Sequence, residues 1–341
     1  MIKLSSSLSF GGELEVPSDK SISHRSALLN SIANGKSKIL NYSNGEDCLS
    51  TISVLKELGA NINLIPKENS YELDIESKGL NSLIESKKVL YAGNSGTTTR
   101  LLSGILAFSN FNSVLSGDNS LNSRPMKRII DPLMMMGAEI KSNNDCAPLE
   151  FRKSNLNGIK YNMDVASAQV KSCIILATLG ANSKSIITQP ALSRDHTERM
   201  LIPMGADIKI DTNEIVISPG EINSIDIEVP GDISSAAFWI VAALIHPKGN
   251  IVLKNVGINP LRTGILDVLI KMGGRIEIFN KRDVANEPVA DIKVLHSELN
   301  GIQIDGDIIP KLIDEIPIII IASVVAKGST IIKDASELRV K

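Results

Sequence analysis

Aromatic side chains make up only 3% of the 341 residues, cysteines number three, and no long uninterrupted apolar run occurs. Each scarcity excludes something. With six Phe, four Tyr and one Trp, the interior has to be built from Ile, Leu, Val, Ala and Met. Cys48, Cys146 and Cys173 are odd in number and show no C-x-x-C spacing, so neither a disulfide framework nor a zinc knuckle is expected. They read as buried thiols of a reducing compartment. The greasiest stretch, Ile316 to Ala326, is too short to span a bilayer, and MIKLSSSLSFGGELEVP lacks the apolar core of a signal peptide. A soluble cytoplasmic protein is therefore expected, without membrane contact. Thirty-six basic and 38 acidic side chains leave a net charge of -2, which argues against a global surface for nucleic acid. Any anion site has to be local. No metal-ligand spacing, nucleophile elbow or dinucleotide fingerprint appears, so neither metal nor cofactor is expected, and chemistry is left to charge and positioning.

Repetition is what the chain has in place of these signals. Five times a turn rich in Gly, Ser, Pro or Asp opens an apolar run of helix length: from Val16, Ala92, Asp164, Val229 and Ile313. Four of these runs lead to a similar closing phrase, LKELGANI, LMMMGAEI, LIPMGADI and LIKMGGRI. Their first glycines, Gly59, Gly137, Gly205 and Gly273, are 78, 68 and 68 residues apart, the mark of a duplicated supersecondary unit. Alternating strands follow each helix, and the glycines suit left-handed helix caps, so each copy predicts a β-α-β-α-β-β module.

The fold class expected is α/β (α+β), in two domains of such modules, with the last module incomplete at Lys341. At this length two cores are expected. The domain boundaries read as 19–228, inserted as three modules, and 1–18 plus 229–341. The two Pro-containing crossings near Ser18 and Val229 suit a hinge. The first helices are apolar nearly all round, the Trp239 side included, which places them inside.

Chemistry concentrates at the openings. Lys20, Ser21 and Arg25 in PSDKSISHR put cations and a hydroxyl at a helix N-terminus, where a phosphate or carboxylate is stabilised by free N–H groups. An ordinary capped helix with solvated basic ends fits the same residues. Asn94 and Gly96 lie in a second small-residue turn, where Thr97 suits a helix cap. Arg124 in SRPMKR offers a bidentate fork, although such charge runs are also usual on solvated surface. Ser167, Gln169 and Lys171 open the third module. The SRDHTER segment, with Arg194, Asp195, His196 and Glu198, reads as an internal salt-bridge knot with a structural histidine. Asp314 and Glu315 precede an apolar helix as either a cap or a general base.

In this order, PSDKSISHR, GNSGTTTR, SRPMKR, SAQVKS, SRDHTERM, VPGDISSAAF, DEIP and ELRVK resemble the 5-enolpyruvylshikimate-3-phosphate synthases, an enolpyruvyl transferase family. The resemblance implies two domains of three β-α-β-α-β-β units and transfer of the enolpyruvyl group of phosphoenolpyruvate to the 5-hydroxyl of shikimate 3-phosphate. It implies that Lys20, Ser21, Arg25 and Ser167 hold shikimate 3-phosphate. Lys20, Gly96, Arg124 and Gln169 would face phosphoenolpyruvate, and Asn94 and Arg194 would be further substrate-binding residues. Asp314 would accept the hydroxyl proton, with Lys341 beside it, and a monomer without cofactor is implied. Family sequences continue past RVK with further basic and acidic site residues, so little turnover is expected of this polypeptide by itself. The UDP-N-acetylglucosamine enolpyruvyl transferases are a weaker resemblance, since Lys20 is followed by Ser21 rather than Asn. A non-catalytic phosphate-binding fragment is the alternative of a different class.

Overall fold

The computed structural model describes residues 9–339, which fall into two compact units. One is continuous, Lys20–Val229, and is called the central unit here. The other joins the start of the chain through Asp19 to the segment from Pro230, and is called the split unit. In chain order the helices are α1 (Lys20–Asn30), α2 (Glu46–Glu57), α3 (Gly96–Phe108), α4 (Asn119–Asn122), α5 (Lys127–Met135) and α6 (Ala168–Leu179). They continue with α7 (His196–Leu201), α8 (Ile233–Ile245), α9 (Gly264–Lys271), α10 (Ile309–Leu312) and α11 (Ile316–Val325).

The central unit contains three four-stranded sheets of one topology. In the second module, Leu90–Tyr91 pairs in parallel with Ser113–Ser116, which pairs antiparallel with Cys146–Arg152, and that strand with Glu139–Asn143. The third module repeats this with Lys160–Asn162, Ser185–Thr188, Glu214–Ile217 and Ile208–Asp211. The first module takes its parallel strand from the far end of the unit, where Ile227–Glu228 joins Asn34–Tyr42. The three modules thus close on one another. A complete module of the split unit has the same order, with Phe10–Glu15 parallel to Gly249–Gly257 and the intervening chain forming the central unit.

Local chemistry accounts for the element ends. Gly59, Gly137, Gly205 and Gly273 all have positive φ, between +80° and +102°, where a side chain would be strained, and each ends the second helix of its module. Ser95 and Ser167 cap α3 and α6 by accepting from the amides of Thr98 and Val170. Asp232 caps α8 in the same way at the amide of Ser234. The cap of α3 is therefore Ser95, not Thr97: the turn places Ser95 outside the helix, leaving Thr97 within its first turn.

In the central unit the first helices have hardly any exposed side. α1, α3 and α6 bury nearly all of their residues, and Gly104 lets α3 approach α6 so closely that an added Cβ would lie 2.3 Å from the Cys173 carbonyl oxygen. The split unit differs from the sequence expectation. Phe238 and Trp239 of α8 are 61% and 42% exposed, because α8 packs on its sheet and on α11 and its remaining face meets no other helix layer among the described residues. Trp239 instead stacks on Phe10, with ring centroids 6.0 Å apart.

Candidate active site

Three helix openings of the central unit are tied together by polar side chains. Arg25, buried on α1, donates from Nε to Thr197 Oγ1 at 2.7 Å and from Nη2 to Ser172 Oγ at 3.1 Å; the two hydroxyls themselves lie 2.7 Å apart. Its Nη1 donates to the Ser21 carbonyl at 3.0 Å. A guanidinium held at all three nitrogens has one direction available to it. Gln169, in the first turn of α6, reaches α3 twice, accepting from Arg100 Nη1 at 2.8 Å and donating to Thr97 Oγ1 at 3.2 Å.

The turn before α3 is cationic. An added Cβ at Gly96 would sit 2.9 Å from Arg100 Nη1 and 3.4 Å from Arg124 Nη1, so glycine lets the two guanidiniums flank the turn. Burial first, and then the charges of Arg128 and Arg124, bring the Arg100 pKa down to about 10. Arg100 Nε has no hydrogen-bond partner among the described residues. Arg124 is aimed by Asn94, whose side-chain oxygen accepts from Nη2. Asn94 in turn donates to Asp118 at 2.7 Å, which keeps that carboxyl below its ordinary pKa.

Beneath this surface runs a buried chain of hydroxyls. His24 Nδ1 lies 2.7 Å from Thr51 Oγ1, which lies 2.7 Å from Thr98 Oγ1, which donates to Ser95 Oγ at 2.7 Å. Burial, with help from the Lys20 and Arg25 charges, pushes the His24 pKa down to about 3, so its ring is neutral. Lys20 is exposed and pairs with Asp47, the residue whose carbonyl oxygen lies 3.4 Å from Thr98 Oγ1.

Of the residues singled out from the sequence, Lys20, Ser21, Arg25, Asn94, Gly96, Arg124, Ser167, Gln169 and Arg194 all belong to the central unit. Arg194 is half-buried just ahead of α7. The salt-bridge knot expected there is only partly internal. Arg199 pairs with Asp195 at 2.9 Å, whereas Glu198 reaches out of the segment to Lys171 at 2.7 Å. Asp314 belongs to the split unit, exposed in the turn between α10 and α11, and the adjoining Glu315 makes no side-chain cap on α11. Glu315 accepts instead from Ser234, which accepts from Arg262 Nη2 at 2.7 Å. Burial opposes the Arg262 charge, but the carboxylates of Asp19, Asp232, Glu315 and Asp314 outweigh it and raise its pKa. Lys341 lies outside the described residues. No cluster of three or more His, Cys, Asp or Glu able to hold a metal occurs among the described residues.

The family model described as EPSP synthase (3-phosphoshikimate 1-carboxyvinyltransferase) matches residues 5–341. The chain belongs to the EPSP synthase family. A 3-phosphoshikimate 1-carboxyvinyltransferase of Geotalea uraniireducens is 49% identical over 332 residues, covering 97% of this chain and 77% of that protein. One from Thermoanaerobacter pseudethanolicus is 50% identical over the same shares. Among solved structures, the EPSP synthase of Acinetobacter baumannii superposes with a TM-score of 0.89 at 43% identity, over 98% of this chain and 75% of that one. The enolpyruvyl transferase NikO of Streptomyces tendae, at 16% identity and a TM-score of 0.73, shares the fold.

For an EPSP synthase, the polar residues that sequence reasoning left out of the site are informative. Arg100 stands one helical turn after Gly96, an i, i+4 spacing that places both on one face of α3 and was legible. Asp47, Thr197, Ser172 and the Lys171–Glu198 pair carry no local signal, because their partners are distant in sequence.

Proposed function

We propose that the central unit binds shikimate 3-phosphate and that the chain's chemistry is transfer of an enolpyruvyl group from phosphoenolpyruvate to the 5-hydroxyl of that ligand. The observation that carries this is the interlocking of the openings of α1, α3 and α6 through Arg25 and Gln169, with the buried Arg100 guanidinium held where the charges of Arg128 and Arg124 repel it. A bound anion offsets that repulsion, and two polyanionic substrates can share a site only where cations are held in advance. Arg25, Ser21, Ser167 and Arg194 are assigned to shikimate 3-phosphate. Arg124, Gly96, Asn94 and Gln169 are assigned to phosphoenolpyruvate, and Lys20 serves both ligands.

In the reaction, protonation of the methylene carbon of phosphoenolpyruvate leaves C2 electron-deficient. The 5-hydroxyl oxygen bonds to C2 while Asp314 takes its proton. Loss of phosphate from C2 and of a proton from the new methyl group then restores the double bond. No covalent bond to the protein is needed. No helix among the described residues is long and apolar enough to cross a membrane, in keeping with action in the cytoplasm.

Titration calorimetry with shikimate 3-phosphate tests the assignment. One-site binding is expected, weakened about a hundredfold, or about 2.7 kcal/mol, in Arg25→Ala, where a charged hydrogen-bond set is lost. Asp314→Asn is expected to leave this affinity within about threefold while suppressing any phosphate release. Failure of the parent chain to bind shikimate 3-phosphate would overturn the proposal.

A further inference from the structure

The most deeply buried charges of the central unit have no part in the scheme above. Lys171 on α6 and Glu198 on α7 are each 1% exposed and 2.7 Å apart. As packing they are a poor choice. Taking both charges out of water is expensive, and an apolar pair of the same volume fills such a space with equal or greater stability. Nor is the pair fully satisfied, since Glu198 Oε2 has no hydrogen-bond partner among the described residues. What a methyl group cannot supply is direction. Lys171 Nζ also donates to the Ser193 carbonyl at 3.0 Å, the peptide group immediately before Arg194.

The neighbouring residues complete the pattern. Ser172 follows Lys171 on α6 and Thr197 precedes Glu198 on α7, and these two hydroxyls grip Arg25. Two adjacent cross-links therefore join α6 to α7. The neutral one holds Arg25, and the charged one fixes the helix that carries Thr197 together with the peptide that carries Arg194. The Ser193 end has a second tether, because its amide and hydroxyl both donate to Gln189 Oε1, at 3.2 and 2.9 Å.

We infer that Lys171 and Glu198 are positioning residues of the phosphate half-site: their ion pair, through the Ser193 carbonyl and the Thr197 hydroxyl, sets where Arg194 and Arg25 stand before ligand arrives. This rests on the assignment of that half-site to shikimate 3-phosphate. Loose cations would have to be ordered at the moment of binding, and that entropy would be subtracted from affinity.

The test compares stability with affinity in the full chain, by urea unfolding and by calorimetry with shikimate 3-phosphate. Lys171→Met alone strands a buried carboxylate and is expected to lower both. The double variant Lys171→Met/Glu198→Leu is expected to regain the parental unfolding midpoint yet bind at least tenfold more weakly. In that background Arg25→Ala is expected to cost less affinity than it does in the parent, because the cation is already misplaced. A double variant that binds with parental affinity, or strict additivity with Arg25→Ala, would overturn the inference. A second, gentler variant covers the case in which the double variant does not fold. Glu198→Gln leaves the buried lysine charge unpaired and is expected to lower the unfolding midpoint, but it can still accept from Lys171 Nζ, so its affinity for shikimate 3-phosphate is expected to stay within threefold of the parent. A tenfold loss there would mean that charge, not tethering, sets affinity, and would also overturn it. If the parent itself binds no shikimate 3-phosphate, the half-site assignment fails and this inference with it; parental affinity in the double variant defeats this inference alone.

Discussion

Helices α3 and α11 open the second and fifth copies of one sequence pattern, yet they live in different surroundings. On α3 every residue except Thr97 is buried, with Leu101, Leu102, Ile105 and Leu106 all at 0% exposure. On α11 only Ile316, Ile319 and Ala322 are buried, and Val324 is 77% exposed with Ile320, Ile321 and Val325 about half exposed. The difference is one of neighbours. In the central unit three modules surround their first helices. In the split unit the described residues hold one complete module and the opening of the next, so α8 and α11 cover each other on one side only. A helix apolar all round is stabilised by about 25 cal/mol for each Å² taken out of water, and α3 collects this on every face. Module identity is thus a local property, whereas module stability is supplied by the copies around it.

The largest effect that would break this contrast comes from a charge in the α3 core. Ile105→Glu is expected to cost more than about 4 kcal/mol and to leave the central unit unfolded by circular dichroism at 25 °C. Retention of its helical signal and urea midpoint would show that α3 is less enclosed than described. Next comes the α3–α6 approach. Gly104→Val forces side-chain atoms into the Cys173 carbonyl and is expected to lower stability by about 2 to 3 kcal/mol in urea titration.

An intermediate effect is carried by pH. Folded His24 stays neutral to about pH 3, while an unfolded histidine takes up a proton near 6.5. The unfolded chain therefore binds more protons between these values, so stability is full above pH 6.5 and is lost as the pH falls through that window. About 1.5 kcal/mol is expected to go between pH 6.5 and 5, and His24→Asn removes this slope. Parallel pH profiles for parent and variant would refute it. The smallest effect is expected in the split unit. Val324→Glu, on the exposed face of α11, changes the unfolding midpoint by less than about 0.5 kcal/mol. A loss comparable to that of Ile105→Glu would mean that this face is covered in solution.

Particular residues show how far the sequence could be read. The four closing glycines recur in Leu-Gly, Met-Gly contexts, and each takes the left-handed conformation that their spacing implied. The strands after each first helix also appear where alternation placed them, although the fifth is only Ile331–Ile332. The openings of α1, α3 and α6 carry the cations and hydroxyls that drew attention in the sequence. Their partners were another matter. Arg25 meets Thr197 across 172 positions and Gln169 meets Arg100 across 69, separations over which no local pattern carries information. Trp239 misled because amphipathicity reports that a helix wants cover, not whether cover is present.

By itself the sequence determined the repeated β-α-β-α-β-β module, the glycines and serines that bound its helices, and membership of a family, because backbone conformation, capping and motif order are set by residues within a few positions of one another. Tertiary structure alone decided which apolar faces are covered, that Ser95 rather than Thr97 caps α3, and that Lys171 of α6 pairs with Glu198 of α7. Those outcomes depend on how separate modules close on each other, and contact across a packed interface has no counterpart in neighbouring letters of the chain.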